Sequence, residues 1–244
     1  MKYQKIKNNF EPFIGLLLFT ITFPLQILIF IVVLIELKKF PLFIQERGIT
    51  LSMHRFKIYK FRTIKDKKKN CYENNVFNKN YLYDSVPQLC RILRKSGLDE
   101  LPQLLNVIKG EMSLIGPRPL SIEDLVSIKT FNKRAYLFRY SLKSKPGITG
   151  LWQVFGDRKK EINNLIDMER YYEGNMAFKL DLIILLVTLY KILSGQHSDA
   201  IISNSNKLLQ DNFINKFCSR LQTTNSINNR NIMETDFYTY SCLE

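Results

Sequence analysis

Apolar positions along this chain form one continuous run and several periodic ones. From Phe13 to Ile35 there are 23 residues without a charge, closed by Glu36, Lys38 and Lys39. At about 1.5 Å of rise per residue, a helix of this length is long enough to cross a bilayer. The run is too long for the apolar part of a signal peptide, and no small-x-small cleavage site follows it. Pro24 stands near its middle, without an N–H and with a ring that crowds the carbonyl of Thr20. In an ordinary helix interior that costs about 3 kcal/mol or forces a kink. The hydroxyls of Thr20 and Thr22 are near enough to re-satisfy the freed backbone groups. Lys2, Lys5 and Lys7 precede the run, and Lys38, Lys39 and Arg47 follow it. A simple spanning helix gathers positive charge mainly on its cytoplasmic side. Charge on both sides fits a re-entrant segment that enters and leaves by one face; a plain transmembrane anchor with a tolerated proline is the alternative.

The periodic runs lie between residues 41 and 195 and read as one compact domain. Phe40-Pro41-Leu42-Phe43 has an interfacial character. Arg55 to Thr63 alternates basic with aromatic or aliphatic residues, as a short strand or a surface-lying segment does. Residues 65 to 84 are polar and rich in lysine and asparagine, which predicts loop. A helix is predicted from Pro87 to Lys95, stopping at Gly97. A second opens near Asp99 and ends before Gly110, with Leu101, Leu104, Leu105 and Ile108 at helical spacing. Gly116-Pro117-Arg118-Pro119 and Lys145 to Gly150 read as rigid turns, the latter leading into Leu151-Trp152-Gln153-Val154. Leu180 to Leu193 is an apolar helix, too short to span and bracketed by Asp181 and Lys191, that packs in the core or lies at an interface. Past Gly195 the chain turns to Asn, Ser and Thr. The expected organisation is a membrane-embedded segment (1–40), a compact domain (41–195) and a peripheral tail (196–244), α+β and mostly helical.

Charge narrows the partners rather than the fold. Thirty-six Lys and Arg against 22 Asp and Glu leave a net +14, which suits an anionic membrane surface, phosphate-bearing substrates or nucleic acid. Cys71, Cys90, Cys218 and Cys242 form no CxxC pair, and with two histidines in the chain a zinc site is not expected. Scattered thiols of this kind suit a reducing cytosol.

Asp99-Glu100 is the pair with chemistry in it. An aspartate can attack phosphorus to give an acyl phosphate, splitting one phosphoryl transfer into two. At a helix start the free N–H groups and the dipole favour its anion, the form a nucleophile needs. Attack on a diphosphate also requires the charge to be neutralised, by a hard cation on carboxylate oxygen and by Arg or Lys. Glu100, Arg94 and Arg118 supply those types, and prolines on both sides of Arg118 would hold its planar fork still. Each element has a plainer reading. Asp-Glu before Leu-Pro is an ordinary helix start, and Arg118 a solvated loop residue. Arg91, Arg94 and Lys95 complement a helix end, residues 55–62 form a solvated or lipid-facing surface, and Trp152 is core or interface.

Three blocks, in order, decide between these readings. They are Phe56-Lys57-Ile58-Tyr59-Lys60-Phe61-Arg62-Thr63, then Arg91 through Gln103 continuing to Gly116-Pro117-Arg118-Pro119, and then Lys145 through Val154. Together they resemble the bacterial sugar transferases, monotopic phosphoglycosyl transferases that begin capsule, exopolysaccharide or glycoprotein glycan assembly. The resemblance spans roughly residues 10 to 195. It implies a re-entrant N-terminal helix kinked at Pro24, a catalytic domain with interfacial helices on the cytoplasmic face of the bacterial inner membrane, and a Mg²⁺-dependent ping-pong reaction. That reaction moves a sugar 1-phosphate from a UDP-sugar to undecaprenyl or another polyprenyl phosphate. Carried onto this chain, Asp99 is the nucleophile and Glu100 its metal-holding neighbour. Lys60, Arg62, Arg94, Arg118, Arg158 and Asp181 are substrate-site residues; an additional Asp157 separates Arg158 from Gly156. Expected partners are the donor, the lipid acceptor, membrane lipid and optionally a second copy of the chain, but no nucleic acid. A membrane-tethered nucleic-acid binder would explain the charge and the basic-aromatic run, not Asp99-Glu100 beside the Arg118 turn. A catalytically inactive scaffold of the same fold is the other alternative.

Overall fold

A computed structural model describes residues 2–65, 85–156 and 161–194, all within one compact unit spanning residues 1–203. Arg158, the run from 66 to 84, Cys71, Cys218, Cys242 and the tail from 196 lie outside the described residues.

The long apolar run forms α1 (Lys2–Leu37), continuous through Pro12 and Pro24. Its two threonines do not repair the backbone at Pro24. Thr20 donates to the Leu16 carbonyl at 2.9 Å and Thr22 to that of Leu18 at 2.7 Å, both upstream of the carbonyl that the proline strips. A hydroxyl in a helix bonds most easily back along its own turn, and this is what these two do. One face of α1 is buried at both of its ends. Lys7, Glu11 and Gly15 are covered near the start, and Gln26, Ile29, Val33 and Leu37 toward the finish. A Cβ on Gly15 would lie 3.0 Å from Val107 Cγ1, so the missing side chain lets the domain approach the helix axis. At the other end Ile29, Val33 and Leu37 share a core with Phe61, Val86, Cys90 and Leu93. The opposite face, including Phe10, Phe13, Leu17, Ile21 and Leu28, is exposed and apolar. α1 is thus laid along the domain, not projected from it.

The alternating segment forms β2 (Phe56–Phe61), paired antiparallel to β1 (Leu42–Gly48) with Lys60 opposite Phe43. β1 also pairs with the two-residue β4 (Leu120–Ser121), completing a three-stranded sheet in the order β2-β1-β4. The sequence reading has only an interfacial segment where β1 begins.

Next comes α2 (Gln88–Ser96), ended by Gly97 in the left-handed conformation. The segment after it differs from the expected α-helix. Leu98–Gln103 is a 3₁₀ helix that passes into a short α3 (Leu104–Ile108). Pro102 lies inside it, and its ring crowds the carbonyl of Leu98 four residues back, which disfavours α-helical winding there. Asn106, fully buried, fastens α3 to β2 by donating to the Lys57 carbonyl at 2.8 Å. This tie carries the 3₁₀ segment to the strand that bears Lys60.

β3 (Ser113–Ile115) and β5 (Gly147–Thr149) pair in parallel, and their following turns interlock. Gly116 N–H donates to Thr149 at 2.9 Å, and Gly147 N–H to Pro117 at 2.9 Å. A Cβ on Gly116 would lie 2.2 Å from the Lys145 carbonyl, and one on Gly150 2.0 Å from the Gly116 carbonyl, so side chains are excluded from the crossing. The rest of the domain is helical: α4 (Ile122–Phe131), α5 (Lys133–Tyr140), α6 (Leu151–Phe155), α7 (Glu161–Gly174) and α8 (Phe178–Leu193). Trp152 belongs to the core here, with Leu120, Leu125, Tyr136 and Leu165. α8 buries Leu180, Asp181, Ile184 and Thr188 and exposes Leu182, Leu185, Leu186, Leu189 and Leu193. The result is mostly helical, with a small sheet and one long apolar helix.

Candidate active site

The 3₁₀ segment, β2 and the two interlocked turns border a shallow open cleft lined by Arg47, Lys60, Glu100, Gln103, Arg118 and Gln153, among others. Asp99 and Glu100 occupy its first turn. Asp99 is buried, and Glu100 reaches the cleft and pairs with the Lys60 ammonium. Burial lowers the Lys60 pKa from the ordinary lysine range, while the carboxylate of Glu100 opposes that shift. The segment is too short for a large helix dipole.

Two guanidinium groups face the same cleft with no carboxylate in ion-pair contact among the described residues. Arg118 lies 5.4 Å above the Trp152 ring, a cation–π contact that holds the charge without cancelling it. Its backbone is clamped on both sides. The N–H of Arg118 donates to Glu169 at 3.2 Å, and its carbonyl accepts from Arg139 at 2.7 Å. Arg139 and Glu169 are joined by two bonds of 2.6 and 2.7 Å in the interior, where the arginine is fully buried. Arg47, at the end of β1, donates to the Pro119 carbonyl at 3.0 Å and to Gln45 at 3.2 Å. Burial, and then the adjacent Arg118 charge, push its pKa down to about 10. Glu100 offsets the ammonium, and the two guanidinium groups beside it favour entry of a further anion.

The other residues singled out from the sequence are distributed differently. Arg94 donates to the Thr63 hydroxyl at 2.7 Å, beside the start of the 3₁₀ segment. Arg62 does not line the cleft; it donates to the Phe40 carbonyl at 3.0 Å and lies over the Phe43 ring. Asp181 lies in a separate buried cluster. There the Lys7 ammonium is 2.6 Å from Asp181, 2.7 Å from the Tyr172 hydroxyl and 2.6 Å from the Ile115 carbonyl. This cluster fastens the start of α1 to the strand that leads into the Arg118 turn. Pro24 is exposed on α1. Arg47, Gln103 and Gln153 are residues of the cleft that sequence reasoning did not single out. The signal available for Arg47 was its place in Gln45-Glu46-Arg47, an arginine ending a strand.

No group of three His, Cys, Asp or Glu side chains capable of caging a metal occurs among the described residues. Mg²⁺ needs no such cage when a phosphate supplies ligands; one carboxylate on the cleft, as Glu100 is, suits it.

Residues 2–195 match the bacterial sugar transferase family, and the chain belongs to it. It is 35% identical over 173 residues to the uncharacterized sugar transferase EpsL of Bacillus subtilis, covering 70% of this chain and 79% of that protein. The exopolysaccharide production protein ExoY of Sinorhizobium fredii is 31% identical, over 75% of this chain and 83% of its own. The undecaprenyl-phosphate galactose phosphotransferase of Salmonella typhimurium is 40% identical over 103 residues, which is 42% of this chain and 20% of that protein.

The lowered Lys60 pKa gives a pH dependence. Because burial disfavours the ammonium, it loses its proton at lower pH than a free lysine. The KM for a diphosphate substrate is therefore expected to rise on the alkaline side before ordinary lysines titrate. Lys60→Arg should move that limb to higher pH; a pH profile of KM checks both.

Proposed function

We propose that this chain transfers a sugar 1-phosphate from a UDP-sugar to a polyprenyl phosphate, in particular undecaprenyl phosphate, through a covalent intermediate on Asp99. The observation that carries the reading is the cleft itself. Glu100, next to the buried Asp99, lines it together with Arg47, Lys60 and Arg118, a cationic surround that favours a diphosphate.

In the first step an Asp99 carboxylate oxygen bonds to the β-phosphorus, and the bond from that phosphorus to the bridging oxygen breaks. UMP leaves with the bridging oxygen and its electron pair. In the second step a phosphate oxygen of the polyprenyl phosphate bonds to the same phosphorus. The bond to Asp99 breaks, the carboxylate is restored, and a polyprenyl diphosphate sugar departs. Arg47, Lys60 and Arg118 hold the phosphate oxygens in line through both steps. Mg²⁺ held by Glu100 and the donor phosphates would supply further neutralisation of charge.

Burial of α1 against the domain at both of its ends supports a re-entrant arrangement. A helix whose start and finish both pack on one domain fits a segment held on one side of the bilayer better than one that crosses it. Its exposed apolar face, together with that of α8, then lies in one leaflet, which brings the lipid acceptor to the cleft. The cytoplasmic face of the inner membrane, where nucleotide-sugars are made, is the side we assign.

The test is UMP release by the detergent-solubilised full chain, given undecaprenyl phosphate, Mg²⁺ and a panel of UDP-sugars. Release with one or two donors, lost on chelation, supports the reading. Silence across the panel from folded protein favours an inactive scaffold.

A further inference from the structure

Two residues that line the cleft each carry a buried polar atom without a hydrogen-bond partner: Nε2 of Gln103 and Oε1 of Gln153. Gln103 is 3% exposed and Gln153 7%. Buried polar groups are paired in the great majority of cases, and an orphaned one is destabilising. Both side chains line the cleft that holds Arg47, Lys60, Glu100 and Arg118. Gln153 also lines the neighbouring cavity on the far side of Arg118, so it stands in the wall the two spaces share.

The two atoms have opposite polarity, and that separates their roles. Gln103 follows Glu100 by three positions and carries its orphaned N–H beside a space already rich in donors. Its complement is a phosphate oxygen. Gln153 offers an acceptor, which a phosphate oxygen repels; its complement is a hydroxyl or an amide N–H. In a nucleoside diphosphate sugar those groups sit on the sugar, directly beyond the phosphate, or on the nucleobase, beyond the second phosphate and the ribose. We propose that Gln153 is a specificity-determining residue that accepts a hydrogen bond from a hydroxyl or acylamino N–H of the transferred sugar, while Gln103 donates to the phosphate beside it. The inference rests on the reaction proposed above. Proximity to Glu100 favours the sugar over the base, because the sugar is joined to the phosphorus under attack.

The test compares the full chain with Gln153→Met and Gln103→Met, near in length but without the amide. Thermal unfolding, KM for an active UDP-sugar and inhibition by UDP, which lacks the sugar, are measured for each. Since each substitution removes an unsatisfied group, the unfolding midpoint should hold or rise. For Gln153→Met, kcat/KM should fall about ten- to a hundredfold, as for loss of a hydrogen bond to substrate, with UDP inhibition unchanged. For Gln103→Met, both donor use and UDP inhibition should weaken. A lowered midpoint with an unchanged KM in Gln153→Met would mean a structural amide and overturn the proposal. Equal weakening of UDP and UDP-sugar in Gln153→Met would put its carbonyl on the nucleotide and overturn the sugar assignment. A wild-type chain that uses no UDP-sugar would instead defeat the reaction on which the inference rests.

Discussion

Asp99→Asn is expected to abolish sugar-phosphate transfer, lowering turnover by about a thousandfold or more while the protein stays folded. The size follows from the role. A side chain that forms the covalent intermediate has no substitute, and loss of such a group costs most of the catalysed rate. The carboxamide has nearly the same shape and cannot displace UMP. The fold is expected to hold because the amide keeps the carboxylate's shape and one of its acceptor oxygens, and costs less to desolvate in this buried position. UMP release measured beside a thermal melt checks both halves. An unfolded variant would point to a structural carboxylate, and a fully active one would remove Asp99 from the reaction.

Glu169→Ala is the second large effect. It strands the fully buried Arg139, whose guanidinium bonds Glu169 at 2.6 Å, the Ile49 carbonyl at 2.8 Å and the Arg118 carbonyl at 2.7 Å. Removing one partner of a buried ion pair leaves an uncompensated charge and costs about 3–5 kcal/mol. The same change releases the Arg118 N–H, so turnover falls too. The double variant Arg139→Met with Glu169→Leu separates the two effects. Replacing both charges by apolar groups should recover much of the stability, but not the clamp on Arg118, so the midpoint returns while activity stays low. Recovery of activity together with the midpoint would mean that the Arg118 turn holds itself.

Local signals in the chain reached the elements that rest on local chemistry. Gly97 ends α2 because it takes the left-handed conformation. Gly116, Gly147 and Gly150 mark the crossing of two turns where no Cβ fits. The alternation of residues 55 to 63 is visible in β2. Other features depend on residues far apart. Nothing near Arg139 in the sequence points to Glu169 thirty positions on, and nothing near Lys7 points to Asp181. Arg47 and Gln153 meet in one cleft only because β1 and the turn after β5 are brought together by the fold. α1 is instructive in another way. Lipid and protein core favour the same apolar side chains, so the covered stripe vanishes inside a uniformly apolar run. Its trace survives in the polar and small residues Lys7, Glu11 and Gly15, four apart on the covered face. The 3₁₀ winding at Asp99 was missed for a simpler reason: the leucine spacing dominated, although Pro102 sits in the middle of it.

The most direct measurement of the central claim is the intact mass of the protein after incubation with an active UDP-sugar and Mg²⁺, without polyprenyl phosphate. An added sugar phosphate is expected that maps by peptide analysis to Asp99, disappears when undecaprenyl phosphate is supplied, and never forms on Asp99→Asn. Turnover of the same donor with no adduct at any time, and with Asp99→Asn still active, would contradict it and require direct transfer between the two substrates.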